Sequence, residues 1–226
     1  IMVCQSYDSS LRERTMVETL RRVQVDGILI SVAKDGKTDT AFYRKLIDGG
    51  LPVQFFDNIP EGIEGPAVVI DDEKGAFDAT THLIKYGYRR IAHLCGPQHL
   101  HIYRDRYLGY TRALKEAGLP VEDELIVEIG SHFDTSPEIF SRLWERPNPP
   151  DAIFSASDYS AAAGLKAALK LGLRVPEDLA FMGFSNEPFT EIITPQLSSV
   201  DQQTLEMGRR SAERLMLSPL HISSPQ

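Results

Sequence analysis

GAFDATTHLIKYGYRRIAHLC, residues 75–95, is the stretch whose pattern decides the fold. Ala76, Ala79, Thr80, Leu83 and Ile84 recur at helical spacing on one face, so residues 75–86 read as a helix. Gly87 supplies the stop that ends helices. After a basic turn, residues 91–95 form a short run that is apolar apart from His93. A continuous run, rather than an alternating one, suits a strand buried on both faces.

The same grammar repeats outward in both directions. Ala117-Gly118-Leu119-Pro120 and Leu171-Gly172-Leu173-Arg174-Val175-Pro176 each end a helix on glycine and bar its return with proline. Strand-like runs occupy 2–5, 26–31, 52–56, 67–70, 91–95, 125–129, 152–155, 179–184 and 197–200. Helical patterns fill 12–23, 38–48, 75–86, 104–117, 138–145, 160–171 and 205–217. Strict alternation predicts parallel sheets wound through right-handed crossovers, the α/β class. No flexible linker divides the chain, so two lobes would be joined by short crossovers.

Bulk properties narrow the function. The chain has 226 residues, 42% hydrophobic and 25% charged, with a net charge of −8. A protein that grips phosphates shows a basic stripe. Arg89-Arg90 and Arg209-Arg210 are isolated pairs that read as solvated, so these residues alone should not hold DNA. No apolar run has the length to cross a bilayer. The start lacks the flanks of a signal peptide and reads as a strand entered partway through. Cys4 and Cys95 each fall in an apolar run and are expected as buried, reduced thiols of a cytoplasmic protein.

Signatures of the common α/β chemistries are missing. There is no GxGxxG after a strand, no P-loop and no GxSxG elbow. No cofactor is expected, and no metal, since the spacing of His99 and His101 suits solvated loop residues better than a shared ion. An enzyme is therefore not expected. The informative residues stand at the carboxyl ends of the strands, where open parallel sheets collect ligands. They are Asp57, Asp71, Asp72, Ser157, Asp158, Ser185, Asn186, Asp201 and Gln202. Carboxylates, hydroxyls and amides suit a polyol such as a sugar. The same residue types also cap helices, and for any one of them the two readings stand level.

The segment from Leu173 to Phe184, with Arg174-Val175-Pro176-Glu177-Asp178 ahead of Leu179-Ala180-Phe181-Met182-Gly183, resembles the lactose-repressor/galactose-repressor family. Gly96-Pro97 followed by Arg106-Tyr107-Leu108-Gly109-Tyr110 is similar to that family's GP…RxxGY segment. Thr81-His82-Leu83, Gly87-Tyr88-Arg89-Arg90-Ile91 and Thr194-Pro195-Gln196-Leu197-Ser198-Ser199-Val200 match in order. The resemblance implies two Rossmann-like lobes of periplasmic binding protein-like type I. One lobe would hold residues 1–70 and 203–217, the other 72–200, with 218–226 a tail. It implies a small-molecule effector, a sugar or sugar derivative, in the cleft between the lobes. It also implies a homodimer that meets operator DNA only through an absent helix-turn-helix headpiece. Effector contacts carry over onto Asp57, Arg106, Ser157, Ser185 and Gln202.

The sequence departs from that pattern at three places. Ser157-Asp158 stands where the family usually has Asn-Asp, and Ser185 where it often has Asp. The family core also has a strand and helix ahead of residues 2–5. With strands ordered 2-1-3-4-5, the missing strand belongs between residues 2–5 and 26–31, leaving a slot in the sheet. The competing function is that of a periplasmic sugar-binding protein serving a transporter.

Overall fold

A computed structural model describes residues 1–63, 65–130 and 137–217, without the side chains of 137–139. In chain order its elements are α1 (Ser10–Arg22), β1 (Ile28–Ile30), α2 (Thr40–Asp48), β2 (Val53–Phe56), β3 (Ala67–Val68), α3 (Asp72–Lys85), β4 (Ile91–Cys95), α4 (His101–Glu116), β5 (Ile126–Glu128), α5 (Pro137–Trp144), β6 (Ala152–Ser155), α6 (Asp158–Lys170), β7 (Ala180–Ser185), β8 (Ser198–Asp201) and α7 (Thr204–Met216). The chain folds as two compact units. Ile1–Ile70, joined by the segment that starts at Gln203, makes the smaller, and Asp71–Gln202 the larger. The proposed tail, 218–226, lies outside the described residues.

Six helices begin one to three residues ahead of their apolar pattern and α2 begins two residues inside it, and polar caps fix several of these starts. Asp39 accepts the Phe42 N–H at 3.1 Å and Asp71 the Lys74 N–H at 2.8 Å, each satisfying a donor that the first turn leaves free. His101 opens α4 and does not lie in a loop as expected; its Nε2 is buried without a partner.

The smaller unit is a parallel three-stranded sheet, β1-β2-β3, with Ile28 facing Val53 and Phe55 facing Ala67. Val17, Ile28, Ile30, Tyr43, Leu46 and Phe55 form its core. Glu13 on α1 is buried among them, accepting the Ala33 N–H at 2.6 Å and the Tyr43 hydroxyl. Burial holds the Glu13 carboxyl above its ordinary range, although both hydrogen bonds pull it down.

Residues 2–5 form no strand, contrary to the sequence pattern, and Cys4 is exposed, not buried. Among the described residues β1 pairs on one edge only. A cavity of about 350 Å³ borders that open side, lined by Met2, Cys4, Met16, Val17, Leu20 and Leu29 among others. An isolated apolar segment cannot be a strand without a neighbour to take its amides.

The larger unit is a parallel five-stranded sheet, β5-β4-β6-β7-β8. Leu94, Leu125, Leu143, Ile153, Leu165 and Leu179 belong to its core. The Arg106–Tyr110 segment has local duties in this packing. Helices α3 and α4 approach so closely at Gly109 that a Cβ there would lie 2.1 Å from the Glu73 carbonyl oxygen. Tyr110 donates its hydroxyl to the Ile91 carbonyl at 2.7 Å, tying α4 to β4. His93 stacks with Tyr110 and Phe154, with Nδ1 3.0 Å from the Phe154 carbonyl. Full burial pushes its pKa down to about 4, so the ring is neutral and Nδ1–H is the donor.

Candidate functional site

In the larger unit the carboxyl ends of β6, β7 and β8 bring several expected residues into one network. Asp158, fully buried at the start of α6, accepts the Glu187 N–H at 2.8 Å and the Ser199 hydroxyl at 2.6 Å. One of its oxygens fills the space where a Cβ on Gly183 would sit, at 2.1 Å. Its carboxylate is therefore taken up in latching β6 to the tips of β7 and β8. Asp71 is similarly occupied as the cap of α3. Both were candidate ligand contacts on sequence, and each also makes bonds within its own unit.

Ser157 behaves differently. It occupies the N-cap position of α6, yet its hydroxyl makes no capping bond. Ser155 bonds the Ser157 backbone, with its hydroxyl on the Ser157 carbonyl at 2.8 Å. Among the described residues the Ser157 hydroxyl has no hydrogen bond. Ser185 ends β7 at φ 129°, and Asn186 follows at φ 56°. Side chains other than glycine rarely adopt such angles, and strained backbone concentrates where a strand end is shaped for a ligand. The Asn186 N–H is anchored to Ser199 Oγ at 3.0 Å, and the Thr190 hydroxyl reaches its Oδ1 at 3.5 Å. Gln202 follows Asp201 at the end of β8 and is half-buried.

Arg106 is the charged centre of this unit's tips. The second turn of α4 aims it beneath β6, where only 4% of its side chain is exposed. Its Nε donates to Asp72 Oδ1 at 2.7 Å, and Nη1 donates to the Ala156 carbonyl at 2.6 Å. The guanidinium lies 3.8 Å from the centre of the Phe184 ring. Asp72, expected as a direct ligand contact, is itself 6% exposed and paired with Arg106. Nη2 makes no hydrogen bond among the described residues.

The smaller unit places Asp57 at the tip of β2, in the left-handed region at φ 55°. Its Oδ2 accepts the Ser31 hydroxyl at 3.3 Å and lies 3.7 Å from Lys34 Nζ. Asn58 beside it is buried, donating Nδ2 to the Val32 carbonyl at 2.9 Å, while its Oδ1 has no partner. Ser31, Lys34 and Ser199 support these tips and were not singled out from sequence. Ser31 follows the end of β1, a signal present in the pattern but masked by the more conspicuous carboxylates, whereas Ser199 lies inside β8 and carries no such signal. Among the described residues no cluster of three or more His, Cys, Asp or Glu could hold a metal.

Two parallel α/β units with polar, locally strained strand tips have the features of a ligand-binding protein. The chain belongs to the family described as periplasmic binding protein-like domain, whose model matches residues 80–219. HTH-type transcriptional repressor CytR of Escherichia coli K12 is 30% identical over 213 residues, 93% of this chain and 61% of the relative. The chain thus spans about three fifths of that protein's length. Among solved structures, transcription regulator CcpA of Lactococcus lactis superposes with a TM-score of 0.87 at 26% identity, covering 100% of this chain and 81% of that one. The transcriptional regulator CelR–cellobiose complex superposes with a TM-score of 0.82 at 30% identity, covering 96% and 66%.

Proposed function

We propose that this chain is the effector-sensing part of a bacterial transcription repressor, and that its effector is a small hydroxylated molecule of the sugar class. The observation that carries this reading is the set of strand-tip groups that have no hydrogen-bond partner among the described residues. Ser157, Ser185, Gln202 and Nη2 of Arg106 offer donors and acceptors beside a helix end that ordinary capping would have closed. A solved relative in complex with cellobiose supports the ligand class. In the smaller unit, taken by itself, Asp57 offers a carboxylate at the tip of β2.

Regulation follows from linkage. A ligand that binds one conformation better than another shifts their populations by that difference in affinity, and the shift is transmitted to operator binding. Operator contact belongs to a helix-turn-helix segment outside this sequence, in a cytoplasmic homodimer. The transporter-serving reading shares the fold, but relatives that are regulators favour control of transcription.

A thermal-shift screen of neutral mono- and disaccharides, cellobiose included, tests the proposal. A ligand held by the native state at about a hundred times its Kd raises stability by about 2.7 kcal/mol. Ser157→Ala and Gln202→Ala each remove a hydrogen bond worth roughly 1 kcal/mol, so affinity by calorimetry should fall roughly fivefold in each. A screen without hits, or a hit untouched by both variants, rejects the assignment.

A further inference from the structure

We infer that Asp72 sets the charge class of the ligand, neutralising Arg106 so that the larger unit's strand tips accept neutral hydroxylated molecules and exclude anions. This rests on the effector-binding reading and adds a residue whose effect is read separately. A buried arginine whose amino group has no hydrogen bond among the described residues is ordinarily a site for phosphate or carboxylate. Here the guanidinium has already been given its anion. Asp72 Oδ1 is 2.7 Å from Nε, and both side chains are at least nine-tenths buried.

The rest of the surroundings point the same way. Nη1 is used by the Ala156 carbonyl and one face of the cation by Phe184. The nearby strand ends and helix starts add Asp71, Asp158 and Asp201, all formally negative, while Lys74, in the first turn of α3, is drawn off to Asp78. The free groups there, Ser157 and Ser185, are uncharged. An anion reaching Nη2 must lie close to the Asp72 carboxylate in a poorly solvated place, where like charges repel strongly. A hydroxyl reaching the same atom meets a donor and no net charge. The acidic residue at the first position of α3 is thus a selectivity device as well as a partner for the helix dipole.

The test compares the chain with its Asp72→Asn variant, which keeps the shape and one acceptor but removes the charge. Two probes are used at constant ionic strength: inorganic phosphate, and the matched pair glucose and glucose 6-phosphate. In the unaltered chain phosphate should produce no thermal shift beyond that of chloride. Asp72→Asn should gain a phosphate-specific shift and move the glucose 6-phosphate to glucose affinity ratio at least tenfold toward the phosphate. The double variant Asp72→Asn/Arg106→Gln should lose the gain. If Asp72→Asn is too unstable to fold in plain buffer, folding restored by phosphate but not chloride is the same positive result.

An Asp72→Asn chain that gains nothing from phosphate, folded or unfolded, overturns the inference, as does an unaltered chain that already prefers the anion. If no neutral sugar binds but Asp72→Asn acquires phosphate, the effector reading falls while the role of Asp72 stands. If sugars bind and the variant acquires no anion, the reverse holds.

Discussion

In the larger unit β6 lies between β4 and β7, and every residue of Ala152–Ser155 is buried. In the smaller unit β1 has, among the described residues, β2 on one edge alone, and Leu29 at its centre is 40% exposed. Both strands come from similar apolar runs, and both obey the same hydrogen-bond rules. What separates them is the neighbour. An apolar run becomes a strand, and its side chains a core, only where another backbone takes its amides. The segment 2–5 shows the limiting case, since it has the composition of a strand and no strand geometry.

The contrast extends to charge, and the largest effect should appear there. Arg106→Ala breaks a buried ion pair with Asp72, a loss of about 3–5 kcal/mol from the larger unit. Asp57→Ala in the smaller unit removes a partly exposed carboxylate paired with Lys34 at 3.7 Å, and should cost less than about 1 kcal/mol. Trp144, the single tryptophan, reports the larger unit in denaturant titrations. Hydrogen exchange at Val17 and Ile30 reports the smaller. Similar losses from the two substitutions would erase the difference in burial on which the comparison stands. Arg106 thus carries stability as well as any ligand contact, so its truncation is a poor probe of binding alone.

Acid sharpens the comparison further, because the two units respond with opposite sign. His93 titrates at about 4 in the folded larger unit against 6.5 in an unfolded chain. Between those values the unfolded chain binds more protons, so stability is lost as pH falls through the window, by roughly 3 kcal/mol in all. Glu13 has its folded pKa raised above 4.5. The folded smaller unit then binds the proton more tightly, and its stability falls as pH rises from 4.5 toward the raised value. Stability against Trp144-detected unfolding should therefore fall toward pH 4, with that dependence flattened in His93→Phe, while exchange protection at Val17 should fall from pH 4.5 upward and flatten in Glu13→Gln. Slopes of the same sign in the two units would contradict the assignments.

Much of the architecture is legible in the sequence because it is written in local chemistry. Continuous apolar runs give β4, β6 and β7, and Gly87, Gly118 and Gly172 end the helices before β4, β5 and β7. Boundaries slip where caps belong to the next element, as Asp71 shows. The site is less legible because its meaning is set by distant partners. Asp158 reads as a candidate contact until Glu187 and Ser199, 29 and 41 residues away, are seen to occupy it. Asp72 reads as a helix-start acid until Arg106, 34 residues on, is placed against it. Ser157 reads as a cap, and only its coordinates show the hydroxyl left over. Pattern locates the strand tips, while the division of labour among them is a tertiary property.

The smallest effect is the finest test of that lesson. Leu29 and Ile153 are both aliphatic and both central in their strands, so β-propensity and hydrophobicity predict similar penalties for Leu29→Thr and Ile153→Thr. The sheets predict otherwise. Ile153 is fully buried with strands on both sides, and its replacement strands a hydroxyl in the core and removes packed methyl groups, costing about 2–5 kcal/mol. Leu29 loses little burial and gains a residue well suited to an exposed strand, so its change should stay within about 0.5 kcal/mol. Paired denaturation curves decide the matter. A loss above about 2 kcal/mol at Leu29 would mean that the open side of β1 is covered in solution, and that the smaller sheet is as enclosed as the larger.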